Sequence, residues 1–451
     1  MKHRLFRCLA VGAAVLAVLA APAVARADAV TDWSMYAQTA IIGTGPPPTA
    51  HASVLSFAMV QGAVYDAVNG IDGGHRPYLV KPVATPFDSK AAAAATAAYR
   101  VLVTLYPGQM TTLKDHWDAS IALATATDAL VATNGGIAAG EAAAAAMLNK
   151  RANDGRGGPF TFVFGTTPGV WRLGPQALPG LPPGQPVDPT PWVGNVKPFL
   201  VPNVEMLRSD GPNRLTSAAY AKDFNEVKSL GNLQSTRRTA DQTMAAIFWQ
   251  AQPGGLWGGV MRSLSSSRGL TIAENARLFA MVDLAEADAS IGCWNDKYYW
   301  NFWRPIDAIR QAASDGNPAT EADPAWLPLF DPATPTLPLL VSPGFPDHPS
   351  GHSCISSATV HTLQNFFGKD KIAVSFTSPR FPGQPRSFDR FSRVLKEIID
   401  ARVWGGIHFR TADVQGAVLG KKVARWEQKH YFRSLRDDNH DDDKGGGEGD
   451  D

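Results

Sequence analysis

Residues 270–300 read LTIAENARLFAMVDLAEADASIGCWNDKYYW. Thr271 and Glu274 stand at capping-box spacing, so the stretch predicts a long helix opened by that pair. Working outward, residues 52–69 (ASVLSFAMVQGAVYDAVN) place apolar side chains at i, i+3 and i+4 and stop at Gly70, again a helix with its terminator. Residues 88–105 and 109–150 are rich in Ala and Leu and are parted by Pro107 and Gly108. Further helices are expected over 217–230, 236–250, 305–313, 350–367, 388–404 and 412–430. Strand-type alternation is scarce. The expected fold class is therefore all-α, a large helical domain carrying long Pro/Gly-rich loops.

Two interruptions break the pattern, at 153–216 and 315–349. The first holds Trp171 and Trp192, whose apolar area argues for packing against the body; a linker between domains is the alternative. Irregular stretches of this length inside a domain are often functional. The expected organisation is one domain over 28–435, with an N-terminal half (28–152), the loop (153–216) and a C-terminal half (217–435).

The 451 residues are 45% hydrophobic and 18% charged, with a formal net charge of +1. That composition buries a core and excludes a general polyanion binder, so no nucleic-acid partner is expected. The average hides unlike ends. Residues 1–27 hold four bases and no acid, and residues 436–451 hold eight acids against two bases. The N-terminal segment has a basic start, an apolar run from Cys8 to Ala21, and small residues at Ala25 and Ala27. It reads as a secretory signal cleaved after Ala27, with a membrane anchor as the alternative. A secreted or periplasmic bacterial protein with no membrane span in its mature chain is expected. The acidic tail lacks apolar residues and predicts disorder. Cys293 and Cys354 are left as either a disulfide or two buried thiols.

Three polar clusters sit inside apolar helical stretches. In Lys297-Tyr-Tyr-Trp-Asn-Phe-Trp-Arg304-Pro305 the two cations are two helical turns apart and are expected on one face. Such a pair is usually solvated, but Trp300, Phe302 and Trp303 around it point to a buried anion site. In Phe345-Pro-Asp-His-Pro-Ser350-Gly351-His352, a helix starting near Pro349 would aim free amides at an oxyanion. Gly351 would allow close approach, Ser350 would donate its hydroxyl, and His352 would move protons. Taken alone, this is a helix start with an incidental histidine. In Arg402-Val-Trp-Gly-Gly-Ile-His408, Gly405 and Gly406 allow tight packing or a turn between the two functional side chains.

Taken in order, K-x6-R-P, P-S-G-H and R-x5-H resemble the three-part signature of the vanadium-dependent haloperoxidases and type 2 phosphatidic acid phosphatases, in particular the bacterial chloroperoxidase-like branch. The stretch SFAMVQGAVYDAVNGI is similar to an early helix of bacterial members. The resemblance implies two four-helix bundles and an oxyanion cofactor, vanadate, or phosphate at the same site. It implies that Lys297, Arg304 and Arg402 neutralise the anion and that Ser350 and Gly351 hydrogen-bond it. His408 would bind the central atom, vanadium in a haloperoxidase, and His352 would be the general acid/base. Phe345 and Trp294 match the aromatic positions of a halide pocket, or are ordinary core residues. The chain departs from the pattern in carrying Ala401 where Ser is usual, and in Asp413 standing five rather than four residues after His408. The implied reaction is oxidation of a halide by hydrogen peroxide to hypohalous acid. Hydrolysis of a phosphate ester through a phosphohistidine is the alternative, and a non-catalytic oxyanion-binding protein is the second.

Overall fold

Thr271 caps its helix as the spacing requires: its hydroxyl accepts from the Glu274 amide while the Glu274 carboxylate accepts from the Thr271 amide. The computed structural model describes residues 28–43, 49–162, 165–172, 188–330 and 342–435. The expected signal and acidic tail lie outside the described residues, as do parts of both long loops. Thirteen α-helices are described, numbered in chain order. They are α1 (Ala29–Gln38), α2 (Ala50–Asp72), α3 (Lys90–Leu105), α4 (Met110–Thr127), α5 (Leu130–Arg151), α6 (Ala218–Leu230), α7 (Ala240–Phe248), α8 (Pro253–Arg268), α9 (Ile272–Trp300), α10 (Pro305–Arg310), α11 (Gly351–Phe367), α12 (Phe391–Trp404) and α13 (Arg410–His430).

The all-α expectation holds, with one small addition. An antiparallel hairpin, β1 (Val374–Ser378) and β2 (Phe381–Phe388), stands where no strand was expected. The alternation in β1 is only five residues long, and β2 contains Pro382, Pro385 and Gly383, so neither announces a strand. Helices α1 and α8 were also unanticipated. Helix α8 carries four glycines and four serines, all poor helix formers. Its buried Leu256, Trp257, Val260, Met261 and Leu264 hold it helical through tertiary contact. The expected 109–150 segment is two helices, broken at Asp128 and Ala129.

Helices α2, α3 and α5 pack together as one group, α9, α11 and α13 as another, and α2 lies along α9 at the seam. Helix α2 has the length and hydropathy of a membrane span but is wholly buried within the protein. One hydrophobic cluster runs across both groups, from Trp33 and Val64 to Phe279 and Leu419. Each seam helix also grips a loop. Asp66 of α2 accepts from the amides of Tyr78, Leu79 and Val80. Asp288 of α9 accepts from those of Phe199, Leu200 and Val201. Burial outweighs these bonds, and both carboxyls are pushed up to about 6. Cys293 and Cys354 are buried free thiols.

Candidate active site

The three polar clusters converge at the end of the second helix group, though not as the spacing suggested. Lys297 and Arg304 do not share a helix face. Asn301 adopts a left-handed conformation (φ 47°) and ends α9, and Pro305 starts α10 with Arg304 as its N-cap. The chain turns between the two cations, and both side chains are buried. Lys297 Nζ donates to the carbonyls of Pro346, Asp347 and Pro349, which takes up all three of its protons. It therefore fastens the second cluster and acts on the site through its charge. Burial pushes its pKa down to about 8, with Arg304 adding in the same direction.

Arg304 Nε donates to Phe345 O at 2.8 Å and Nη1 to Ile407 O at 2.7 Å, tying the first cluster to the other two. Its Nη2 is buried with no acceptor. Arg402 behaves alike. Nη1 donates to Trp249 O and Gln250 Oε1, while the buried Nε has no acceptor. Burial lowers both guanidinium pKa values to about 10, and both remain charged.

Helix α11 opens at Gly351 with Ser350 as N-cap, so its first-turn amides have no acceptor within the helix. The Ser350 amide itself donates to Ala412 O. In the third cluster Arg402 closes α12, Gly405 caps it, and Gly406 (φ 75°) reverses the chain. The glycine pair thus makes a turn, and His408 lies in the link to α13. A Cβ on Gly406 would sit 2.4 Å from Gly231 O, so no larger residue fits there.

Two carboxylates complete the centre. His408 Nδ1 lies 2.9 Å from Asp347 Oδ1, and His408 Nε2 lies 3.3 Å from Arg304 Nη1. Asp347 thus orients His408 from inside the second cluster. Sequence reasoning missed it, because nothing local links residues so far apart in the chain. Asp413 instead supports α11. Ser353 Oγ donates to its Oδ1 at 2.8 Å, and the Ser350 hydroxyl also bears on the carboxyl. Burial, and then the cations nearby, hold both His408 and His352 well below the ordinary histidine range, so both are neutral.

A pocket of about 260 Å3 opens onto this centre. Gly351, His352, Arg402 and His408 line it directly, whereas Lys297, Arg304 and Ser350 stand behind them. Trp294 and Phe345, both anticipated, form its wall with ring centroids 5.1 Å apart. His51 from α2 and Gln250 also line it. His51 belongs to none of the three clusters, and its helix carries no motif that flags it.

The arrangement suits a small tetrahedral oxyanion. Unsatisfied donors of Arg304 and Arg402, the open helix start at Gly351 and three buried cations all favour negative charge. Among the described residues no group of three or more His, Cys, Asp or Glu is placed to hold a metal cation. The donors fit vanadate or phosphate, with the His408 imidazole placed beside them.

Comparison with known proteins agrees. Residues 277–437 match the family model of the VCPO second helical-bundle domain. The chain is 28% identical over 200 residues to the vanadium chloroperoxidase of Curvularia inaequalis, a match covering 39% of this chain and 32% of that protein. It thus spans about a third of the length of that curated relative. The fold resembles the first bacterial vanadium-dependent iodoperoxidase structure, with TM-score 0.69 and 21% identity over 90% of this chain and 96% of that one. It also resembles an apo-type bacterial vanadium-dependent chloroperoxidase, with TM-score 0.61 and 17% identity over 86% and 94% of the two chains. Residues 277–437 thus carry the second helical-bundle domain of the VCPO family, on a fold shared with bacterial vanadium-dependent haloperoxidases.

Proposed function

We propose that the chain is an exported, vanadate-dependent haloperoxidase that oxidises a halide with hydrogen peroxide to hypohalous acid. The observation that carries the reading is the pocket's two-sided character. A cationic base with unsatisfied donors lies beneath a wall of Trp294, Phe345, Ile355, Pro253 and Pro343. Such a wall strips water from a small anion and shields a reactive oxidant. Two similar proteins are named a chloroperoxidase and an iodoperoxidase, which supports the same reading. The basic, apolar, Ala-x-Ala order of residues 1–27 supports export.

Vanadate, when bound, supplies a Lewis-acidic centre that activates hydrogen peroxide. The chain's own residues do the rest. Arg304, Arg402 and the Gly351 amide hold the oxyanion's oxygens, with Ser350 beside them and the Lys297 charge behind. Asp347 fixes the His408 ring so that Nε2 faces the anion. Neutral His352 accepts a proton from incoming peroxide at Nε2, a buried nitrogen without a partner. Trp294 and Phe345 receive the halide.

The Asp347–His408 pair also favours the second reading, a phosphomonoesterase acting through a phosphohistidine, because a carboxylate behind an imidazole supports nucleophilic attack. One preparation separates the two. Bromide and chloride oxidation is measured with and without added vanadate, beside hydrolysis of p-nitrophenyl phosphate. Vanadate-dependent halide oxidation that falls at least about 10²-fold in His408→Ala is expected. Phosphate-ester hydrolysis with no halide oxidation would give the phosphatase reading instead.

A further inference from the structure

The pocket wall contains a second histidine that the mechanism above does not use. His51 comes from the first turn of α2, while Asp188 and Thr190 come from the long loop before α6. His51 Nε2 lies 3.0 Å from Asp188 Oδ1 and 2.7 Å from Thr190 Oγ1. Its ring stacks on Trp294 at 3.7 Å between centroids, 16° from parallel, and meets Phe345 edge-on at 6.0 Å. Asp188 also accepts from Trp294 Nε1 at 2.8 Å and from the Thr190 amide at 2.9 Å. Burial alone would raise its pKa, but His51 and these bonds hold it below the ordinary carboxylate range.

Two consequences follow from this geometry. The Trp294 N–H is taken by Asp188 and cannot donate into the pocket. Both side-chain polar contacts of His51 use Nε2 and neither uses Nδ1, on a ring that lines the cavity with His352, Arg402 and His408. A carboxylate on one imidazole nitrogen fixes the tautomer and supports the protonated ring, which is the general-acid arrangement.

We propose that His51, backed by Asp188, is a second proton donor of this pocket. The inference rests on the halide-oxidation reading. In that reaction the halide gives up two electrons, the peroxide O–O bond breaks and a halogen–oxygen bond forms. The other peroxide oxygen leaves as water, and hypohalous acid is released. Halide and hydrogen peroxide lack one proton for these two products, so one must be supplied per turnover. His352 returns to the hypohalite oxygen the proton it took from peroxide, so it is not the source of the additional one. His51 Nδ1 gives the proton to the departing oxygen while Asp188 holds the ring through Nε2, and solvent restores the proton afterwards. The ionisable groups around His51 are Asp188, which bonds to it; His352, Arg402 and His408, which line the same pocket; Tyr298, which acts on Asp188; and Lys297, which lies over the Trp294 ring.

The test compares wild type, His51→Gln, His51→Ala and Asp188→Asn, all loaded with vanadate. Bromide oxidation is followed across pH, and vanadate affinity is measured separately by calorimetry. His51→Gln is expected to lower kcat by about 10²-fold, to lose the wild-type acid dependence, and to leave vanadate affinity unchanged. Added imidazole is expected to restore activity to His51→Ala, and Asp188→Asn to show a smaller loss of the same kind. If His51→Ala does not fold, His51→Gln and Asp188→Asn decide. A His51→Gln enzyme with wild-type kcat and pH profile overturns the proposal. So does a folded His51→Ala that imidazole does not rescue. A wild type that oxidises no halide removes the underlying reading, and this inference with it, before any variant is made.

Discussion

Asp413 is fully buried, yet its carboxyl touches only hydroxyls among the hydrogen-bonding groups around it. Burial is the largest influence on it and pushes its pKa up to about 7, against an ordinary 3.8. The folded state therefore binds its proton more tightly than the unfolded chain does. This contribution to stability is full below pH 3.8 and is lost as pH rises through about 7. Asp413→Asn keeps an acceptor for Ser353 without the titration. In vanadate-free protein its stability relative to wild type should grow by about 2 kcal/mol between pH 5 and pH 7, measured by urea unfolding. The polar positions of the candidate anion site could be named from the sequence, because seven positions stand there in motif order and spacing. Their partners were not. Asp347 meets His408, and Lys297 meets the 346–349 carbonyls, through contacts that exist only after the chain has folded.

Between α12 and α13 the geometry of the candidate site depends on one backbone reversal. Gly406 has φ 75°, and a Cβ there would meet Gly231 O at 2.4 Å and Pro328 Cβ at 2.8 Å. Gly406→Ala should cost about 2–4 kcal/mol, from left-handed strain plus the clash. Because the turn separates Arg402 from His408, phosphate or vanadate affinity should fall along with the melting temperature; calorimetry and thermal melting check both. Helices with strong caps were readable to within a few residues, as α6 and α9 show. Those whose stability comes from neighbours were not. Helix α8 depends on its buried apolar stripe, and the hairpin depends on Phe376, which packs 5.0 Å from Trp249 and 4.9 Å from Trp257. The hairpin thereby braces Trp249, whose carbonyl accepts from Arg402.

On the scale of the whole molecule, the pocket belongs to neither half alone. Thr49, Ala50 and His51 enter from the N-terminal half, whereas His352, Arg402 and His408 enter from the C-terminal half. The matched family region, 277–437, therefore contains the three polar clusters but not the whole pocket. A fragment of residues 217–435 would expose the face of α9 that α2 covers. It should bind a hydrophobic dye and self-associate in sedimentation, and residues 28–216 supplied in trans should suppress both. The all-α class was legible because helical periodicity filled most of the chain. The seam was not, because α2 and α9 are both apolar around most of their circumference, and periodicity does not say which element faces which.

The loop-gripping aspartates of those two seam helices have one last consequence. Asp66 and Asp288 are 222 positions apart, as are the N-caps Thr49 and Thr271, and as are Gly70 and Gly292. A Cβ on Gly70 would strike Pro82 at 2.8 Å, and one on Gly292 would strike Leu207 at 2.8 Å, each in a segment just beyond the gripped amides. The chain thus aligns with itself at a single offset: threonine to open, aspartate to clamp, glycine one turn later to admit the clamped segment. The two halves follow one assembly grammar, and the half containing α9 carries the three polar clusters as an addition to it.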